Sequence, residues 1–444
     1  MFRWAKALLG LIVSGLLLAG PASAQAGGDW SPQTFTLSNG LQAVVLPDHR
    51  APVVTHMMWY RVGSADETPG KAGLAHFLEH LMFKATDTLP AGEYFRTIAR
   101  NGGQANAGTS YDFTNYHLRI AKDRLPQMMR MEADRMVNLR LAEEEVTPER
   151  NVVLGERRQS VDSQPAAVLD EMVWARLYQG HPYAIPVIGP ENEIVALSRE
   201  DALGWYREWY GPENAILVVS GDITAAELEP LAKDIYGAIA PRGDLKRRAL
   251  PEVKPLAASV EVQHSGSKVR QTLWQRIWIG APLGHPDASA LQVGMQILGG
   301  GRTSRLYREL VEGGKAVSVL AWAYEMEAPG PAGLSIEPAQ GVSLDALKAR
   351  SMAIVDTFIA EGPAEEELAR AKKTLAAKRI FQRDNQVEMA NWYGVQLTAG
   401  LTLEQIADRE ALVGGLTAAD VRTVMKRYLS GVNHVDALLL PETQ

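Results

Sequence analysis

Apolar and polar positions between residues 35 and 63 follow a strand pattern, and Asn39-Gly40 sits between two apolar runs. Asn-Gly tolerates the left-handed backbone of a tight turn, so a hairpin is predicted there, with residues 53–62 continuing the strand pattern. The period then changes. In Gly73-Leu74-Ala75-His76-Phe77-Leu78-Glu79-His80-Leu81-Met82-Phe83, the residues Leu74, Phe77, Leu78, Leu81 and Met82 surround three polar ones, the signature of a helix that is mostly core. A second helix is expected over 93–101, ending at Gly102-Gly103, and a strand over 114–120. The small residues of 104–111 would let another backbone approach closely. Residues 125–177 are helix-rich, and Thr147-Pro148-Glu149 reads as a helix start, with Thr as N-cap and Pro in the first helical position.

A helix over 197–210 and a strand over 215–220 close the first half. The segment from Pro241 through Pro255, rich in Pro and charge, has the composition of an exposed linker. The cycle then restarts, with strand-like stretches at 260–262 and 272–280, an apolar helix at 288–298 and a closing strand at 437–440. Both halves end on a helix closing with an aromatic residue, then an Asn, then an apolar strand. The expected organisation is α+β: two homologous domains, each a mostly antiparallel sheet packed with helices, over 30–240 and 259–444, joined by a linker at 241–258.

The polar residues of the apolar helix carry the chemistry. His76 and His80 are four apart and share one face, so two imidazoles can converge on one metal with Glu79 beside them. H-x-x-E-H is the inverzincin pattern, in which the histidines hold Zn²⁺ and the Glu takes a proton from water. Buried His, Glu and His without a partner would be costly. Glu149 and Glu156, seven residues apart on a helix, lie one above the other. A lone Glu on a helix is ordinarily solvated, but two in register can complete a His-His site.

Composition narrows the setting. The 444 residues are 46% hydrophobic and 22% charged, ordinary for a globular protein with sizeable cores. Absence of Cys excludes disulfides and thiolate ligands, leaving His and carboxylates to hold a metal. Arg3 and Lys6 precede an apolar run at 7–20 and Pro21-Ala22-Ser23-Ala24, the layout of a signal peptide cut after Ala24. The run has 14 residues where roughly 20 span a bilayer. An exported, periplasmic protein without a membrane anchor is expected. Removing residues 1–24 moves the formal charge from −7 to −9, which disfavours nucleic acid as a partner.

The chain resembles the pitrilysin/insulinase family of inverzincin zinc metallopeptidases, in its bacterial branch of short two-domain subunits similar to mitochondrial processing peptidase. The likeness spans nearly all of the mature chain. It rests on Gly63-Ser-Ala-Asp-Glu67, Gly73-Leu-Ala-His76-Phe-Leu-Glu79-His80, 103–109, Glu149-Arg-Asn-Val-Val-Leu-Gly-Glu156, His181-Pro-Tyr183 and Gly299-Gly-Gly-Arg-Thr-Ser-Arg305-Leu306. The resemblance implies one Zn²⁺ per chain on His76, His80 and Glu156, with Glu79 as general base and Glu149 as an auxiliary carboxylate. It implies that Asn106, Ala107, Gly108 and Thr109 form the strand on which substrate is laid, and that each chain makes half of a clam-shell chamber.

One departure bears on the partner. Complete enzymes of the family carry an Arg and a Tyr seven residues apart in the second half, whereas here Val311 and Val317 stand at those places. The sequence therefore points to a zinc endopeptidase subunit for unfolded peptides, paired with a sister chain that lacks H-x-x-E-H and carries the Arg/Tyr pair. The alternatives are a homodimer, and a non-catalytic structural or substrate-binding subunit of the same family.

Overall fold

The computed structural model describes residues 31–243, 245 and 249–442. The leader expected over 1–24 lies outside them. The first half runs β1 (Gln33–Thr36), β2 (Gln42–Pro47), β3 (Val53–Tyr60), α1 (Leu74–Leu81), α2 (Glu93–Arg100), β4 (Gln104–Thr109), β5 (Thr114–Ala121) and α3 (Leu125–Val137). It continues through α4 (Glu143–Arg157), α5 (Pro165–Leu177), α6 (Glu191–Ala196), α7 (Arg199–Trp209), β6 (Ala215–Gly221) and α8 (Ala225–Tyr236). The second half runs β7 (Val260–Gly266), β8 (Leu273–Ile279), α9 (Pro286–Gly299), β9 (Ala316–Ala323), β10 (Pro331–Pro338) and α10 (Leu344–Glu361). It closes with α11 (Glu365–Arg383), α12 (Gln386–Thr398), α13 (Leu403–Gly415), α14 (Ala418–Leu429) and β11 (Val435–Pro441).

The two sheets repeat each other strand for strand. The first has the order β1-β2-β6-β3-β5-β4 and the second β7-β11-β8-β10-β9. In each, one pair is parallel (β2 with β6, β7 with β11) and the strands from there to β4 or β9 are antiparallel. Strand β1 is the one addition to the first sheet. The duplicated α+β architecture read from the restart of the pattern is thus present in pairing and direction.

Each half also covers the other. Met389, Ala390, Tyr393 and Leu397 of α12 pack on Val44, Leu46, Met57, Trp59, Ile216 and Val218, the outer face of the first sheet. Reciprocally, Leu169, Val173 and Leu177 of α5 pack with Val262, Ile277, Val435, Ala437 and Leu439 on the second. Alternate residues of the same strands, such as Val45, Met58 and Leu217, turn inward onto the cluster that includes α1 and α7. Strands buried on both faces read as near-continuous apolar runs, as in the cores of β2 and β6, whereas β3 is interrupted by Thr55 and His56.

Two expectations change. Helix α4 begins at Glu143, with Ala142 as N-cap, and Pro148 lies inside it. Glu143, Glu144 and Glu145 occupy the first turn, and Glu145 Oε2 accepts from the Ala142 N–H, so acidic residues at the positive helix end start the helix one turn before Thr147. The linker stretch is not wholly exposed either. Its described residues form no helix or strand, but Val253 is buried and Leu250 and Leu256 pack against the cluster that holds α5.

The reciprocal covering is close at Gly394 of α12, where a Cβ would lie 2.1 Å from Trp59 Cε2. Gly394→Ala is therefore expected to lower unfolding free energy by about 1–3 kcal/mol through overpacking, read from the denaturant midpoint; an unchanged midpoint would contradict this packing.

Candidate metal centre

Helix α1 is anchored before its chemistry begins. Gly73 precedes it with φ +89°, and a Cβ there would meet the Ile188 carbonyl at 2.6 Å, so both backbone conformation and space require glycine. The Glu67 carboxylate accepts from the N–H groups of Gly73 (3.0 Å) and Ala75 (2.8 Å), and Glu193 accepts from Ala72 (2.7 Å). Two acids thus satisfy donors at the helix N-terminus, where negative charge is favourable. Leu74, Phe77, Leu78 and Leu81 enter the core, leaving His76, Glu79 and His80 facing α4 and β4.

From α4, Glu156 Oε2 lies 3.2 Å from His80 Nε2 and 3.7 Å from His76 Nε2. One ligand atom from each of His76, His80 and Glu156 falls within 4.8 Å of the others, and among the described residues no other group of three or more such side chains does so. Two turns earlier on α4, Glu149 Oε1 accepts from His80 Nδ1 at 2.8 Å, while its Oε2 pairs with Lys84 Nζ. Glu79 is turned away from these contacts: its Oε2 accepts from the Thr109 hydroxyl at 2.6 Å.

Charge is distributed unevenly over the cluster. Burial, helped by the neighbouring His80, pushes His76 down to about 4. Burial opposes the charged form of His80 too, but hydrogen bonds to Glu149 and Glu156 outweigh it and raise His80 to about 9. Burial raises Glu79 to about 7 against the Thr109 hydrogen bond. Glu156 is held below the usual carboxylate range by its hydrogen bond to His80. Two imidazoles and one carboxylate converge, with Nδ1 of His80 tied to a carboxylate behind it and Glu156 partly open to solvent. This donor set suits a divalent zinc ion with an open fourth position.

Among the described residues strand β4 pairs only with β5, leaving its second edge without a partner strand beside the cluster. Asn106 is exposed and Ala107 and Gly108 half-exposed on it, whereas Thr109 is buried and committed to Glu79. The Thr109 hydroxyl turns to Glu79, while its backbone lies on the same strand as Asn106, Ala107 and Gly108. In the second half, Val311 packs partly into the core and Val317 is exposed at the start of β9. Counting from the matching N-caps Ala142 and Ala364, Glu149 and Glu156 correspond to Ala371 and Lys378. Lys378 Nζ donates to Gln296 Oε1 of α9 at 2.9 Å, so an ammonium and an amide meet where the first half brings carboxylate to imidazole.

The model of the insulinase family, peptidase family M16, matches residues 43–191, and that of the peptidase M16 inactive domain matches 196–375. The chain belongs to the insulinase (M16) family. Within the family it is 29% identical to the zinc protease PqqE of Helicobacter pylori over 98% of this chain and 99% of that one. The crystal structure of a protease from Helicobacter pylori superposes with a TM-score of 0.86 at 26% identity, covering 92% of this chain and 99% of that one. The periplasmic protease PqqL of Escherichia coli shares the fold (TM-score 0.78, 20% identity); 93% of this chain matches 48% of that one. The inactive-domain match begins at 196, beyond His76, His80 and Glu156, and includes Ala371 but not Lys378.

Two contacts escaped the sequence reading. Lys84 stands four residues beyond His80, a spacing that carries the same face one turn onward, and Glu67 belongs to a quoted motif without a role assigned to it.

Zinc binding through His80 would displace the proton that this imidazole holds up to about 9, whereas burial holds His76 down at about 4. Chelator competition should show zinc affinity rising about tenfold per pH unit between 7 and 9 and levelling above; affinity independent of pH over that range would contradict the His80 assignment.

Proposed function

We propose that this chain is the zinc-bearing subunit of an endopeptidase that cleaves unfolded peptides, with His76, His80 and Glu156 as ligands and Glu79 as general base. The observation that carries the reading is the convergence of three ligand atoms within 4.8 Å beside a buried carboxylate held off them by Thr109. Zinc bound there would supply Lewis acidity toward a peptide carbonyl and lower the pKa of water toward about 7. Glu79, itself near 7, takes the proton of the attacking water and passes it to the leaving amine. Glu149 orients the His80 ring by accepting from Nδ1. The outer edge of β4 at Asn106, Ala107, Gly108 and Thr109 takes the peptide as an added strand, a mode that reads backbone more than side chains.

A single chain leaves this site on one open face. We infer that the working enzyme is a closed chamber formed with a sister subunit that lacks H-x-x-E-H and carries the Arg and Tyr absent here at Val311 and Val317. A homodimer would place valines at both sites and leave substrate polar groups without donors in a water-poor chamber. The inactive-domain match over 196–375 favours the rival reading of a non-catalytic subunit only beyond residue 195, since His76, Glu79, His80, Glu149 and Glu156 all precede it. The layout of residues 1–24 supports export to the periplasm, and among the described residues no helix is long and apolar enough to cross a membrane.

His76→Ala, His80→Ala and Glu156→Gln should each lose zinc and peptidase activity together, measured by metal analysis and turnover of a quenched peptide. Glu79→Gln should keep its zinc yet lose several orders of magnitude in kcat; wild-type turnover in that variant would exclude the mechanism. For the partner, the mature chain purified alone should cleave slowly, gain activity on mixing with the sister subunit, and lose it when that subunit's Arg or Tyr is replaced. A homogeneous homodimer cleaving at the same rate as the mixture would overturn the heterodimer.

A further inference from the structure

The Glu149 carboxylate has two oxygens and two partners. Oε1 faces His80 Nδ1 at 2.8 Å, and Oε2 is taken by the ammonium of Lys84. Lys84 lies just past the end of α1, where its N–H donates to the Leu81 carbonyl, and its side chain is 26% exposed. Among the described residues Glu149 is its one ion-pair partner. The segment that follows is tied down independently: Arg140 N–H donates to the Ala85 carbonyl, and Thr86 bridges to Leu139. The ammonium is therefore delivered to Glu149 from a fixed backbone.

Lys84 meets Glu149 on the oxygen that does not face His80. A carboxylate that met His80 alone would keep a free oxygen and a freely rotating χ3, whereas a pair of opposed partners fixes its plane.

We propose that Lys84 is a positioning residue of the metal site, which holds the outer oxygen of Glu149 so that the inner one keeps the His80 ring in its ligating orientation. The inference rests on the zinc-site reading above but not on peptide cleavage. Lys84 acts through Glu149, so its contribution must vanish once Glu149 can no longer accept both partners.

The test is a double-mutant cycle on zinc affinity, by chelator competition at fixed pH, in the full chain: wild type, Lys84→Met, Glu149→Gln and the double variant. Lys84→Met should weaken zinc about tenfold, within the range of outer-shell losses. The double variant should bind no more weakly than Glu149→Gln alone. Zinc held as tightly by Lys84→Met as by wild type, or losses that multiply in the double variant, would overturn the proposal. Should Lys84→Met not fold, Lys84→Leu, which likewise removes the donor, takes its place with the same outcomes. Wild type that binds zinc but cleaves no peptide would defeat the peptidase reading alone; a multiplicative cycle in a cleaving enzyme would defeat the Lys84 role alone. Absence of zinc affinity in wild type would overturn both.

Discussion

Helix α1 carries three ionisable side chains into a hydrophobic core; contacts offset that burial for His80 and Glu79, while burial keeps His76 neutral with its Nδ1 unpartnered among the described residues. Left alone, His76, Glu79 and His80 would each lose hydration without return. The structure gives each a separate answer. His76 is kept neutral, His80 is flanked by Glu149 and Glu156, and Glu79 accepts from Thr109. These answers come from α4 and β4, so the site exists only when the helix, the second helix and the sheet edge are packed together. Glu67 and Glu193 fix the near end of α1 and the Lys84 pair fixes the far end.

The duplicated fold isolates what the metal site requires. Both halves have the same strand order, the same parallel pair and a comparable helix between the third strand and the sheet edge. In the second half Met425 presses on Gly294, and α9 is apolar through Ala288, Leu291, Val293, Met295 and Leu298. Its partner helix offers Ala371 and Lys378 where α4 offers Glu149 and Glu156. The same architecture thus holds a ligand set in one half and a hydrogen-bonded Lys378 and Gln296 in the other. Architecture places the site; four or five side chains decide whether it binds an ion.

The sequence was most informative where period and chemistry coincide. His76, Glu79 and His80 stand out because their spacing makes a face and their apolar neighbours make them core, and the restart of strand and helix patterns exposed the duplication. Less was visible where a contact joins distant elements. Nothing local in Pro165–Leu177 or Gln386–Thr398 says that each helix covers the sheet of the other half, because an apolar stripe does not name its partner. Thr147-Pro148 looked like a helix start because that motif is strong alone, but three acids and the Ala142 cap one turn earlier prevailed. The contact of the Thr109 hydroxyl with Glu79 was hidden because it joins a strand to a helix, and only the fold brings the two together.

The central claim is that one half of this duplicated chain, and only that half, holds the ion. The most direct measurement is anomalous diffraction at the zinc edge on crystals of the zinc-loaded protein. The account expects a single peak between His76 Nε2, His80 Nε2 and Glu156, with none near Gln296 and Lys378. A peak in the second half, or none among these three residues, would contradict it.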